Sequence, residues 1–302
     1  MTKQETPAGH EVAPWGLGRV PLYTNPDVSA VIDRAIQEDL ALGDATTDAL
    51  VPRDLPGEAV IFAKSPGVLC GVDVALEVFR RIDPSMGTEA LLADGAAMER
   101  GSNIARLKGS KASILMGERL ALNFLQHLSG VATATALYVK TVEGTRARII
   151  DTRKTIPGLR ALQKYAVRAG GGRNHRQNLG DGILIKDNHI AALRAQGMSL
   201  ADTVRLAEQR ASHTIKIEVE VTSLEEVQEA LDGGAHLILL DNMSVEQMRE
   251  AVQLVDGRAM LEASGGITLE SVRAIAETGV DLISSGALTH STRALDISLD
   301  FV

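Results

Sequence analysis

The sequence predicts an α/β protein: a small N-terminal α+β layer, then a parallel sheet of six or seven strands, closed or nearly closed and covered by helices. Three observations lead there. From about residue 146, near-continuous apolar runs alternate with amphipathic helical patterns, as parallel strands under helices require. Aromatic residues make up only 3% of the chain, so its core is built mostly from Ala, Val, Leu and Ile, which favours helix–sheet packing over an aromatic-anchored sandwich. Nearly every apolar run of the second half also ends in a charged or small polar residue, and in such architectures the carboxyl ends of the strands form the reaction face.

Taken in chain order, residues 1–25 are expected to be a flexible leader, without the apolar core of a signal peptide. Asn25 and Pro26 then open a helix carrying Val28, Ile32, Ala35, Ile36 and Leu40 at helical spacing. Strand-like runs follow at Glu58–Ala63, Gly67–Cys70 and Asn103–Leu107, with a helix near Val72–Ile82. Leu120–Val139 contains no Asp, Glu, Lys or Arg, yet Asn123, Gln126, His127 and Ser129 make it too polar to face lipid. It reads as a buried helix, or as two helices meeting at Gly130.

In the second half the expected strands are Ala147–Asp151, Ile183–Lys186, Ile215–Val221, Leu237–Asp241, Met260–Ala263 and Leu282–Ser284. Helical patterns such as Ser223–Leu231 and Ser244–Val255 lie between them. The region is too short for an eight-unit barrel of ~250 residues. An open doubly wound sheet is the alternative, but no GxGxxG opens a βα unit with an acidic residue at the proper distance.

The net charge of −8 argues against nonspecific nucleic-acid binding, and the single cysteine, Cys70, excludes an intrachain disulfide framework and suits a reducing cytosol. Against that acidic background, Arg153, Lys154, Arg173, Arg176 and Lys186 gather between Thr152 and His189, together with His175. They are interleaved with Gly-rich turns and apolar runs, unlike the cations of a solvated basic face. Such clustering predicts a pocket for anions. Thr152-Arg153-Lys154 supplies a guanidinium fork for carboxylates and an ammonium suited to phosphate, and His175-Arg176 adds a second fork. Several forks imply a ligand with more than one carboxylate beside a phosphorylated partner.

The polar strand ends are Asp151, Lys186, Glu220, Asp241, Ser264 and Ser285. Glu218 and Glu220 share one strand face with Lys216. Glu218 pairs internally with Lys216 or an arginine, or else serves the site. Glu220 and Asp241 could hold Mg²⁺, directly or through water, or bind ribose hydroxyls. Ser264-Gly265-Gly266, before a helix expected near Thr268, and Ser285-Gly286-Ala287 offer backbone N–H groups to a phosphate.

At these residues the chain strongly resembles the quinolinate phosphoribosyltransferases. The motifs are ERLALNFLQHLSG (118–130), DTRKTIPG (151–158), NHRQNLGDGILIKDNH (174–189), EVEV (218–221), ILLDN (238–242), EASGGI (262–267) and SSGALTH (284–290). The resemblance implies an N-terminal α/β sandwich domain at 26–130, to which residues 289–302 are expected to return, and an incomplete α/β barrel at 131–288. It implies transfer of ribose 5-phosphate from phosphoribosyl pyrophosphate to the nitrogen of quinolinate, with loss of the 2-carboxylate as CO₂, giving nicotinate mononucleotide for NAD biosynthesis.

By the same resemblance Arg153, His175, Arg176 and Lys186 hold the quinolinate carboxylates. Lys154, Glu220 and Asp241 face the phosphoribosyl pyrophosphate and its Mg²⁺. The 264–266 and 285–287 turns bind phosphate, with His290 nearby. Arg119 enters the site of a neighbouring subunit, so the expected assembly is a cytoplasmic homodimer or a higher oligomer with no membrane or nucleic-acid partner. The rival readings are the related phosphoribosyltransferase of molybdenum-transport operons, nicotinate phosphoribosyltransferase, and a catalytically dead phosphate-binding barrel.

Overall fold

The computed structural model describes residues 20–302 and comprises two compact units, one running to Leu125 and resuming at Asp296–Val302, the other Gln126–Leu295. Residues 1–19 of the expected leader lie outside the described residues. Residues 22–24 of that leader form a 3₁₀ turn.

In the first unit, α1 (Pro26–Leu40) starts where a capping Asn meets a proline. The Asn25 side chain accepts the Asp27 N–H at 2.9 Å, and Val28 and Ile32 are buried. Asp44 caps α2 (Ala45–Leu50), a helix too short to show in the apolar periodicity. Next come β1 (Pro56–Ala63), β2 (Gly67–Val68), α3 (Val72–Ile82), β3 (Gly87–Ala90), β4 (Ala97–Met98) and β5 (Asn103–Ser110). β1 and β3 flank β5 in an antiparallel sheet. The expected strand at 67–70 stops after two residues, because Leu69 turns its backbone into a loop closed by Gly95 and Ala96. β3 and β4 went unpredicted: Gly87, Glu89 and Ala90 are exposed, and β4 is only two residues long.

Helix α4 (Lys111–Thr141) is one continuous helix, not two meeting at Gly130. The glycine is there for space. A Cβ at Gly130 would lie 2.2 Å from the Arg293 carbonyl oxygen, where residues 293–294 cross the helix. Leu295 N–H donates to the Gln126 carbonyl beside this crossing.

The second unit alternates strands and helices as its periodicity requires. Its elements are β6 (Arg148–Ile150), α5 (Arg160–Ala169), β7 (Ile183–Ile185), α6 (Asp187–Arg194), α7 (Leu200–Arg210), β8 (Ile217–Val221) and α8 (Leu224–Gly233). β9 (Leu237–Asp241), α9 (Val245–Val255), β10 (Met260–Ser264), α10 (Val272–Ala276), β11 (Leu282–Ser284) and α11 (Ala287–His290) follow. Ser199, Ser223 and Ser244 cap α7, α8 and α9, each accepting an N–H three residues on.

All six strands are parallel, in the order β6-β11-β10-β9-β8-β7. Beyond β6, Arg173 adds a single parallel bridge: its N–H donates to Ile149 O and its carbonyl accepts the Asp151 N–H. The sheet therefore has six strands and a vestige of a seventh. The final strand, β12 (Ile297–Phe301), belongs to the first unit, where it pairs antiparallel with β1.

Candidate active site

Residues of a strand point alternately to its two faces. Leu237, Leu239 and Asp241 of β9 therefore form one inward row, as do Met260, Glu262 and Ser264 of β10 and Glu218 and Glu220 of β8. At the carboxyl ends of these rows lies a cavity of about 260 Å³, lined by Thr152, Arg153, Lys154, His175, Arg176, Leu184, Lys186, Glu220, Leu239, Asp241, Ser264 and Ser284. Most of the strand-end and cationic residues singled out in the sequence meet here.

The same alternation corrects two of them. Ile150 and Thr152 line cavities and Asp151 does not: it is fully buried and pairs with Lys164, also buried. Likewise Ser284 lines the cavity, whereas Ser285 is buried and donates its N–H to Ile150 O. Arg173 and Lys216 line a separate cavity, of about 320 Å³, that also takes in Leu237, Met260 and Leu282 from the starts of β9, β10 and β11. His175, Arg176, Glu218 and Glu262 reach this second cavity as well.

Electrostatically, the mouth is a nest of incompletely satisfied cations. Arg153 has a buried Nε with no hydrogen-bond partner. Arg176 donates Nη1 to Gly182 O at 2.9 Å. Burial, and then the Arg153 charge, push the Arg176 guanidinium below its ordinary range, partly offset by Glu218. Two guanidiniums held close in a partly buried cavity destabilise each other until an anion joins them. Exposed Lys186 pairs with Glu220, and the His189 ring supports it by accepting the Lys186 N–H at 2.9 Å. Lys154 is placed by its backbone: its N–H donates to Thr152 Oγ1 and its carbonyl accepts from Thr289 Oγ1.

Several positioning groups escaped sequence reasoning. Buried Gln163 accepts the Ile156 N–H, donates to Thr289 O and lies 3.1 Å from His127 Nε2. The Asp151–Lys164 pair clamps the backbone of His175: Asp151 accepts its N–H at 2.9 Å and Lys164 donates to its carbonyl at 2.9 Å. Burial pushes the Asp151 carboxyl up and the Lys164 ammonium down, each partly offset by the other's charge. An acid and a lysine 13 positions apart, on a strand end and a helix, carry no local signal of their pairing.

Glu218 does not pair with Lys216; its carboxylate lies 3.0 Å from His175 Nε2. Glu262, almost wholly buried, stands 3.8 Å from the same nitrogen. Burial first, and then the Glu218 charge, raise the Glu262 carboxyl well above the usual carboxylate range. Among the described residues, His175, Glu218 and Glu262 form the one cluster of three or more His, Cys, Asp or Glu side chains whose ligand atoms could surround an ion.

The two glycine turns flank the mouth. Gly265 and Gly266 have φ of 92° and 59°, and a Cβ at Gly265 would stand 2.2 Å from Asn242 Oδ1. Asn242, itself at φ 53°, donates its N–H to Ser264 O and its side-chain amide to Asp241 at 2.9 Å. This ties the turn to the end of β9. The helix expected near Thr268 begins only at Val272 and has five residues, so no substantial helix dipole faces this turn. A Cβ at Gly286 would meet His290 Nε2 and Lys154 Cδ, both at 3.0 Å, which places those two side chains beside the second turn. Ala287 begins α11, which has only four residues. Arg119, on α4, is exposed.

A larger hollow, about 410 Å³, lies on the first unit's sheet. Its charges answer one another: Lys108 pairs with Glu58 at 2.5 Å and Arg106 with Glu89 at 3.9 Å.

Comparison with known proteins identifies the family. Residues 131–300 match the model of the quinolinate phosphoribosyl transferase C-terminal domain, and residues 44–129 that of the N-terminal domain. The chain is 48% identical over 275 residues to the nicotinate-nucleotide pyrophosphorylase [carboxylating] of Mycobacterium leprae, covering 89% of this chain and 95% of the relative. It is 45% identical over 263 residues to a probable enzyme of the same name from Bacillus subtilis, covering 87% and 89%. The solved nicotinate-nucleotide pyrophosphorylase of Francisella tularensis superposes with a TM-score of 0.86 at 40% identity, over 95% of this chain and 99% of that one. An Arg-lined cavity at the carboxyl ends of a six-stranded parallel sheet and both family domains agree: the chain belongs to the quinolinate phosphoribosyltransferase family.

Proposed function

We propose that the protein joins the ribose 5-phosphate of phosphoribosyl pyrophosphate to the ring nitrogen of quinolinate and releases pyrophosphate and CO₂, forming nicotinate mononucleotide for NAD biosynthesis. One observation carries this reading beyond family membership. Arg153 and Arg176 converge on one cavity, Arg153 with an unpartnered buried Nε and Arg176 disfavoured by burial and by its neighbour. A planar dicarboxylate supplies the charge and the acceptors that such a pair lacks. Lys186 adds a third cation at the wall.

In this reading Lys154, the 264–266 turn and the Gly286-Ala287 backbone of the second turn take the phosphates, with His290 beside that second turn. Departure of pyrophosphate leaves an oxocarbenium-like sugar, which the pyridine nitrogen attacks. The protein orients the two reactants and stabilises charge, with no covalent nucleophile. The positive charge on the quaternised nitrogen then stabilises the electron pair left at C2 as CO₂ departs, and a proton taken up at C2 completes nicotinate mononucleotide. Glu220 and Asp241 fit a magnesium ion that draws its other ligands from substrate phosphate and water, because two oxygen donors at one rim suffice for that role; the ion would neutralise phosphate charge. We place the reaction in the cytoplasm, in keeping with a single buried cysteine, and in a homodimer whose partner lends Arg119.

The discriminating assay offers quinolinate and nicotinate separately, each with phosphoribosyl pyrophosphate and Mg²⁺. Quinolinate should yield nicotinate mononucleotide and stoichiometric CO₂. Turnover of nicotinate alone would refute the dicarboxylate reading.

A further inference from the structure

We infer that Glu218 and Glu262 are positioning residues beneath the candidate active site, which orient Arg176 through the ring of His175. The inference rests on the proposed function for the identity of the substrate, and on hydrogen-bond geometry for everything else.

The His175 ring is engaged at both nitrogens. Its Nδ1 accepts the Arg176 backbone N–H at 2.7 Å, so that nitrogen carries a lone pair. In a neutral imidazole the proton then sits on Nε2. Nε2 faces Glu218 at 3.0 Å and Glu262 at 3.8 Å, so it donates to Glu218. The backbone of His175 is held as firmly, by Asp151 at its N–H and Lys164 at its carbonyl. Both ring nitrogens and both backbone polar groups of His175 are thus held within the protein, and His175 in turn holds its neighbour: the Nδ1 contact sets the Arg176 backbone, and the Nη1 bond to Gly182 O sets the guanidinium.

Glu262 completes the arrangement. Neither of its oxygens accepts a hydrogen bond, and Glu218 Oε1 is unpartnered too. Glu262, almost wholly buried and 3.8 Å from Nε2, backs the nitrogen on its second side and leaves Glu218, at 3.0 Å, the acceptor for His175. The same three ligand atoms could surround a cation, but the tautomer puts a proton on Nε2, where a metal would bind.

Two measurements on the full-length protein test this. The first compares Glu218→Gln, which keeps an oxygen to accept from Nε2, with Glu218→Leu, which does not. Glu218→Leu should raise KM for quinolinate by roughly 10-fold or more, the usual cost of removing an orienting partner. KM for phosphoribosyl pyrophosphate should change by no more than about twofold, and Glu218→Gln should restore quinolinate KM to within about threefold of the parent. Equal quinolinate KM in all three proteins, with thermal unfolding showing each to be folded, would overturn the inference. The second measurement needs no activity: ¹⁵N NMR of the His175 ring should show a neutral Nε2–H tautomer near neutral pH. An Nδ1–H tautomer, or a stoichiometric metal ion in the purified protein that is lost in Glu262→Gln, would overturn it as well. Failure of the parent to use quinolinate would sink the proposed function and leave the NMR result standing.

Discussion

Glu262 shows how burial turns an ordinary acid into a pH-dependent liability. Its carboxyl is raised above the usual range by burial and by Glu218, whereas in the unfolded chain it titrates near 4.5. Above that pH the unfolded state sheds a proton that the folded state keeps, so this residue lowers stability progressively as pH rises toward its folded value. Glu262→Gln preserves the shape and removes the titration. The Tm of the variant should therefore gain progressively on that of the parent as pH rises above about 4.5, measured by calorimetry at a series of pH values. A Tm difference that stays flat with pH would mean that Glu262 is ionised in the fold. The guanidiniums above it have the opposite problem, two like charges awaiting a common anion. The forks were legible as residue types; their mutual destabilisation was not, because it depends on a distance between residues 23 positions apart.

Turns and helices show the same division. Gly265 was legible as a phosphate-turn glycine, but the structure gives a second reason for it: φ of 92° and an Asn242 side chain where a Cβ would go. Gly265→Ala should destabilise the protein by about 1–3 kcal/mol for the strained backbone alone. If Asn242 is displaced, Asp241 loses its amide partner, so KM for phosphoribosyl pyrophosphate should rise with the loss of Tm. A variant as stable as the parent, with unchanged KM, would show that the turn has room to relax. Helix α4 teaches the converse. A glycine inside a long apolar stretch suggested a break, yet the helix continues and the glycine admits the backbone at Arg293. Close approach between segments more than 160 residues apart leaves no trace in local periodicity.

For the protein as an assembly, the central prediction concerns Arg119. It is exposed on α4, and its proposed role requires a partner chain. Arg119→Ala and Lys154→Ala should each be nearly inactive when pure. Dissociated, mixed and reassembled, they should regain about a quarter of the parent's activity, since about half of random dimers are hybrids and each hybrid has one intact site of two. Hybrids shown to form by mass spectrometry but devoid of activity would place Arg119 outside the site. No described helix is long and apolar enough to cross a membrane, which accords with the polar residues scattered through Leu120–Val139.

Periodicity was enough to reveal a parallel sheet of six or seven strands, of which the structure has six, because burial on both faces forces continuous apolar runs and a two-residue side-chain repeat that any reader can count. Residue chemistry was enough to reveal an anion pocket, because cations cannot gather in an acidic chain without a counter-charge. Folding alone settled which strand-end residues face the pocket: Thr152 and Ser284 point in, while Asp151 and Ser285 point away, since one position in a strand reverses the face. It also brought Asp151 to Lys164 and His175 to Glu218 and Glu262. Such pairings are fixed by distances in space, and separation along the chain contains no information about them.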